Sequence, residues 1–168
     1  MVSLNDKSVN MLDVNAPPDL MASIALFYQA YRTYTSGSDA LLAQRGLGRV
    51  HHRVLYYVAR HPALTVSELL EQLGVTKQAL HAPLRQLVEL GLVTVSTAAH
   101  DLRVRQLALT EAGQQLEWQL TSPLAEHLSA ALERAGPQAT AGWLKVMHEI
   151  STQPVAPLDA TLAAQSRP

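Results

Sequence analysis

Cysteine is absent from the 168 residues, which removes disulfides, thiolate zinc sites and thiol-based redox sensing together. Aromatic residues are sparse, 5% with a single phenylalanine, so the core must be built from aliphatic side chains. No run of about 18 apolar residues occurs, and none is therefore read as spanning a membrane. The opening MVSLNDKSVN lacks the basic-then-apolar pattern of a secretory signal. A cytoplasmic location is the expectation. Enzyme signatures are missing as well: there is no GxSxG, no HExxH and no phosphate-binding glycine loop. Gly46-Leu47-Gly48 follows no strand and is no dinucleotide fingerprint. The chain reads as a non-enzyme, with no catalytic residues, no resident cofactor and no metal.

What is present is a globular composition, 48% hydrophobic and 16% charged, in a length that suits one domain with a full core. The net charge of -1 conceals a pattern. Between Gln44 and Thr110 eight basic residues stand against four acidic ones, a local +4, whereas the segments before and after carry -2 and -3. A basic middle between acidic ends fits one face for phosphates and another for something else.

The stretch from Thr65 to Leu92 reads as two short helices around a turn. Leu69, Leu70 and Leu73 give the first an apolar face, and Leu80, Leu84, Leu87 and Leu90 give the second a stripe at helical steps. Gly74 supplies the turn, Thr65 with Glu68 has the form of a capping box, and Thr76 caps the second helix. This is the form of a helix-turn-helix, whose second helix enters the DNA major groove. An αα-hairpin that binds nothing has the same local form. Gly91-Leu92-Val93 ends the second helix, Val93 to Thr97 alternates like a half-buried strand, and Arg103 to Leu109 alternates again, with 98–103 as the loop. A helix-turn-helix followed by a hairpin is a winged helix.

The face opposite the leucines carries Lys77, Gln78, His81, Ala82 and Arg85, just after Thr76. Gln pairs bidentately with adenine, Arg with guanine, and Ala touches a thymine methyl; Lys77 near the helix start suits a phosphate, and His81 donates to either. Pro83 in mid-helix removes a hydrogen bond and is expected to kink the helix where it enters the groove.

These elements resemble the MarR family of bacterial transcriptional regulators. The resemblance runs from about Leu20 to Ile150. It rests on Val54-Leu55-Tyr56-Tyr57-Val58 with SELLEQLGVTKQAL downstream, on LVELGLV, and on Asp101-Leu102-Arg103 ending in Leu109-Thr110-Glu111-Ala112-Gly113. The family pattern has a second arginine where this chain has Leu102. The resemblance implies a mainly α fold with a small β-hairpin wing, a winged helix-turn-helix with N- and C-terminal dimerisation helices. It puts Arg103 into the minor groove with Asp101 holding the arginine or the turn, Arg105 toward phosphate, and His100 at the tip. It also implies a small aromatic acid or phenol as effector, in a cleft between the dimerisation helices and the winged helix. Tyr28, Tyr31 and Arg32, then His51, His52 and Arg53, and Trp118 are its expected lining; ordinary core aromatics and surface histidines are the competing reading of each.

Domain limits follow: an arm over 1–16, one domain over 17–150 and a tail over 151–168. Within the domain the winged helix-turn-helix takes about 46–110, with dimerisation helices at about 17–45 and 110–150. The first helix opens at Pro17-Pro18-Asp19 with Leu20, Ile24, Phe27, Tyr31 and Tyr34 in heptad steps, and Ser36-Gly37-Ser38-Asp39 is expected to break it. A compact helix over Val50 to Arg60 should pack under the helix-turn-helix. Thr110 caps a long helix in which a leucine stripe recurs every four residues from Leu116 to Leu132. Pro123 either kinks that helix or starts a second segment capped by Ser122. Ala135-Gly136-Pro137 ends it before a last helix to Ile150.

The apolar stripes at both ends exceed what the small head can cover, which predicts a two-fold homodimer reading an inverted repeat in double-stranded DNA. The function expected is that of a ligand-responsive repressor. A winged-helix module that docks a protein, or a metal-responsive regulator drawing on the seven histidines, are the alternatives.

Overall fold

A computed structural model describes residues 19–98 and 101–153. The expected arm over 1–16, most of the tail over 151–168 and the His100 tip lie outside the described residues. Five helices and a two-stranded antiparallel hairpin run in the order α1 (Leu20–Gln44), α2 (Arg49–Arg60), α3 (Val66–Leu73), α4 (Lys77–Glu89), β1 (Val93–Ala98), β2 (Asp101–Leu109) and α5 (Glu111–Thr152). No described helix is long and apolar enough to cross a membrane.

α1 corrects one expectation: it passes unbroken through Ser36-Gly37-Ser38-Asp39. Poor helix formers are overruled there by tertiary bonds. The Ser38 hydroxyl, buried, donates to the Leu120 carbonyl of α5 at 2.8 Å, and Asp39 pairs with Arg49 of α2 at 2.7 Å. The chain turns instead at Gly46, whose φ of +66° is the left-handed conformation glycine adopts freely.

The caps read from sequence are present. Thr65 Oγ1 accepts from the Glu68 amide while Glu68 accepts from the Thr65 amide, at 3.2 and 2.8 Å. Thr76 accepts from the Ala79 amide at 3.2 Å and Thr110 from the Gly113 amide at 3.0 Å. α4 remains one helix through Pro83. In α5 no second segment starts at Pro123: the helix continues across it, and Ser122 bonds Glu126 instead of capping. The expected interruption at Gly136 is real, at φ 83° and ψ 169°, with Pro137 following.

The hairpin is longer than expected. β1 reaches Ala98 and β2 begins at Asp101, with 99–100 between them, and the register slips at Thr97/Ala98. Leu107 donates to the Leu64 carbonyl at 2.8 Å, fastening the wing to the α2–α3 connection.

One core joins everything. Val54, Leu55 and Val58 of α2 pack with Leu69 and Leu73 of α3, Leu80 and Leu87 of α4, Val93 and Leu107 of the hairpin, and Leu116 and Leu120 of α5. Gly113 sits where α5 leaves the wing, and a Cβ there would overlap the Leu92 carbonyl. Since that neighbour is backbone held by the Thr110 amide at 3.1 Å, Gly113→Ala should cost about 3 kcal/mol of stability. A urea melt reads this as a lowered midpoint; an unchanged midpoint would contradict it.

Candidate nucleic-acid interface and ligand cavity

α4 buries Leu80 and Leu87 and turns Lys77, Gln78, His81, Ala82 and Arg85 outward, all exposed. At its start Thr76, Lys77, Gln78 and His81 line an open cleft of about 510 Å³. Amides of a helix's first turn, with Lys77 beside them, favour an anion such as a backbone phosphate. Among the described residues Arg85 pairs with Glu89 alone, an exposed i,i+4 pair at 3.4 Å worth about 0.3–0.5 kcal/mol that a base edge would readily displace. In the wing Arg103 and Arg105 alternate on one strand and are exposed. Asp101 opens β2 opposite Ala98, while its side chain lies outside the described residues.

Seven positions were expected to line an effector cleft, and the structure separates them. A cavity of about 350 Å³ lies between α1, α2 and α5, and His52 and Arg53 line it. Tyr28 and Trp118 are each 69% exposed, and Arg32 is exposed as well. Tyr31 lies under the Arg49 guanidinium at 5.0 Å. His51 faces α4: its Nδ1 accepts from the Gly48 amide at 3.0 Å and its Nε2 meets Gln86 Oε1 at 3.0 Å.

The cavity's other walls were missed. Tyr34 comes from α1, Tyr56 and Arg60 from α2, and Thr121, Leu124 and Leu128 from α5. A signal existed: His52, Tyr56 and Arg60 stand at i, i+4 and i+8 and so share one face of α2. Arg60 Nη1 donates to Glu117 Oε1 at 2.7 Å and to the Tyr56 carbonyl at 3.1 Å, and its guanidinium lies 3.7 Å from the Tyr56 ring centre. Glu117 is 7% exposed. Among the described residues no group of three potential metal ligands converges.

Burial sets the titration of this site. It pushes the His52 imidazole below its ordinary 6.5, against the pull of Glu117 and Asp39 and with a smaller push from Arg60. Burial, and then Tyr56, raises the Tyr34 phenol. Asp39 is held below its ordinary value chiefly by its hydrogen bond from Arg49.

Two helices about a left-handed glycine, capped by threonine and followed by a two-stranded wing, define a winged helix-turn-helix protein. Sequence comparison narrows the class. A sequence model of the MarR family matches residues 45–103. The HTH-type transcriptional regulator PetP of Rhodobacter capsulatus is 42% identical over 128 residues, covering 76% of this chain and 77% of PetP. The chain belongs to the MarR family of transcriptional regulators, a family of regulators and not of enzymes. Two solved structures share the fold. The MepR–DNA complex of S. aureus has a TM-score of 0.60 at 23% identity, covering 75% of this chain and 96% of that one. NadR in complex with 4-hydroxyphenylacetate has a TM-score of 0.64 at 20% identity, covering 83% and 96%.

The depressed His52 value carries a sign. Because its folded value lies below its unfolded one, the unfolded chain takes up a proton first as pH falls through 6.5, and stability is lost from there downward. His52→Gln, which keeps a partner for Thr121 and removes the titration, should flatten stability between about pH 7 and 5. Parallel denaturation curves for the two proteins at each pH would argue against the assignment.

Proposed function

We propose that this regulator acts in the cytoplasm as a homodimeric repressor that reads an inverted-repeat operator and is released by a small aromatic or phenolic effector. The observation that carries the reading is the two-sided character of α4. Leucines lock one side into the core, and the other presents Lys77, Gln78, His81, Ala82 and Arg85 beside a capped, anion-favouring N-terminus. Thr76 and Lys77 hold the backbone, Gln78, His81, Ala82 and Arg85 meet base edges, and Arg103, with Arg105 and Asp101, sets the wing in the adjacent minor groove. The DNA complex of MepR, which has the same fold, supports this docking.

Dimerisation is supported by what a single chain leaves uncovered. Leu20, Ile24 and Phe27 of α1 and Trp143, Leu144 and Ile150 of α5 are all exposed, an amount of apolar helix that normally finds a partner. The same seam on a second copy would cover it and would set two α4 helices about one DNA turn apart. The effector reading is supported by the cavity where α1 and α5 meet α2 and by the 4-hydroxyphenylacetate bound to NadR. A ligand wedged there changes the tilt of the reading heads relative to the dimer seam, and so operator affinity.

Arg85→Ala should cost about 1–3 kcal/mol, roughly 5- to 150-fold in Kd, for the duplex the protein selects, and relax preference at one base position. Arg103→Ala should weaken binding more evenly across sequences. Fluorescence anisotropy on matched and scrambled duplexes reads both; an unchanged sequence preference in Arg85→Ala rejects base reading by that residue. In the ultracentrifuge the protein should sediment at twice its 18.3 kDa chain mass, and Trp143→Glu should shift it toward monomer. A wild type that sediments as a monomer contradicts the dimer.

A further inference from the structure

We propose that the α1/α2/α5 cavity selects an uncharged aromatic ligand, a phenol or a neutral derivative of one, and discriminates against aromatic carboxylates. The inference narrows the effector reading above and rests on it. The volume of about 350 Å³ and the Tyr34, Tyr56, Leu124 and Leu128 walls fit a ligand of one or two rings. The charge of that ligand is decided by the cations, and both are already engaged.

The Arg60 guanidinium is bonded to Glu117 at 2.7 Å and stacked 3.7 Å from the centre of the Tyr56 ring. Arg53 donates to the Leu73 carbonyl at 2.8 Å, at the end of α3 where helix carbonyls carry partial negative charge. A ligand carboxylate has two ways to reach Arg60. It can displace Glu117, which leaves a carboxylate buried and unpaired, or it can share the guanidinium, which sets two carboxylates side by side. Both cost affinity.

His52 does not supply the missing charge. Its Nε2 lies 3.2 Å from Thr121 Oγ1, and burial disfavours its charged form. A neutral imidazole offers one donor and one acceptor, and Thr121 one hydroxyl, a set that matches a phenolic hydroxyl and leaves a carboxylate undercompensated. Asp39 and Glu117 act on His52 from the acidic side and Arg60, more weakly, from the basic side, and both acids are already paired with arginines.

The test uses the full-length protein and two ligands of the same ring, hydroxyl and size: 4-hydroxyphenylacetamide, which is neutral, and 4-hydroxyphenylacetate. Isothermal titration at neutral pH should give the amide about tenfold or more tighter binding. Glu117→Gln, which keeps an acceptor for Arg60 but removes the competing negative charge, should reduce or invert that ratio by about tenfold. If the wild type binds the acid as well as or better than the amide, the charge selection is wrong while the effector reading stands. If the wild-type ratio holds but Glu117→Gln leaves it unchanged, the assignment to the Arg60–Glu117 pair is overturned. If neither ligand binds and neither alters duplex affinity, the effector reading falls with it. Should Glu117→Gln fail to fold, the wild-type ratio alone decides the matter.

Discussion

The structure depends on the burial of α2 between its neighbours. Val54, Leu55 and Val58 are enclosed by side chains of α3 and α4, the wing and α5, so the reading head and the long C-terminal helix share one hydrophobic core. At packing densities typical of interiors such a core transmits displacement instead of absorbing it. The polar bonds of α2 divide in the same manner. His51 reaches Gln86 in α4 and Arg53 reaches Leu73 at the end of α3, while His52 and Arg60 reach Thr121 and Glu117 in α5. Two adjacent histidines therefore face opposite halves of the molecule, one toward α4 and one toward α5. α2 thus ties α4 to α5 through polar bonds as well as through the core.

Close backbone approach is the second constraint. Gly113 lets α5 start against the Leu92 carbonyl, and Ser38 lets α1 lie near enough to α5 to bond Leu120. Both small residues hold helices that flank the head. Burial along α5 then fades: Leu116 and Leu120 are enclosed, while Leu124, Leu128 and Leu132 are only half-buried. The leucine stripe continues past the core that one chain supplies.

The head was legible in the sequence because its signals are local. The Thr65–Glu68 box, the Thr76 and Thr110 caps and the turns at Gly74 and Gly91 depend on residues within a few positions of one another, and all appear in the structure. The misread parts depend on distant contacts. Ser36-Gly37-Ser38-Asp39 looked like a break because nothing nearby discloses that Ser38 finds Leu120, 82 residues away. Of the expected lining, His52 and Arg53 border this cavity, and its other walls come from Tyr34 of α1, Tyr56 and Arg60 of α2, and Thr121, Leu124 and Leu128 of α5. Apolar content alone does not separate a lining face from a dimer face. Where a helix points is set by its packing, and the His52-Tyr56-Arg60 spacing was the only local trace of it.

Selection of duplexes from a random library by the purified protein, at two salt concentrations, tests the central claim most directly. A dimeric reader with exposed α4 helices and basic wings predicts enrichment of an inverted repeat with half-sites about one helical turn apart. Affinity for it should fall steeply as salt rises, because phosphate contacts release counterions. No enriched duplex even at low salt, or enrichment without two-fold symmetry, would contradict the account.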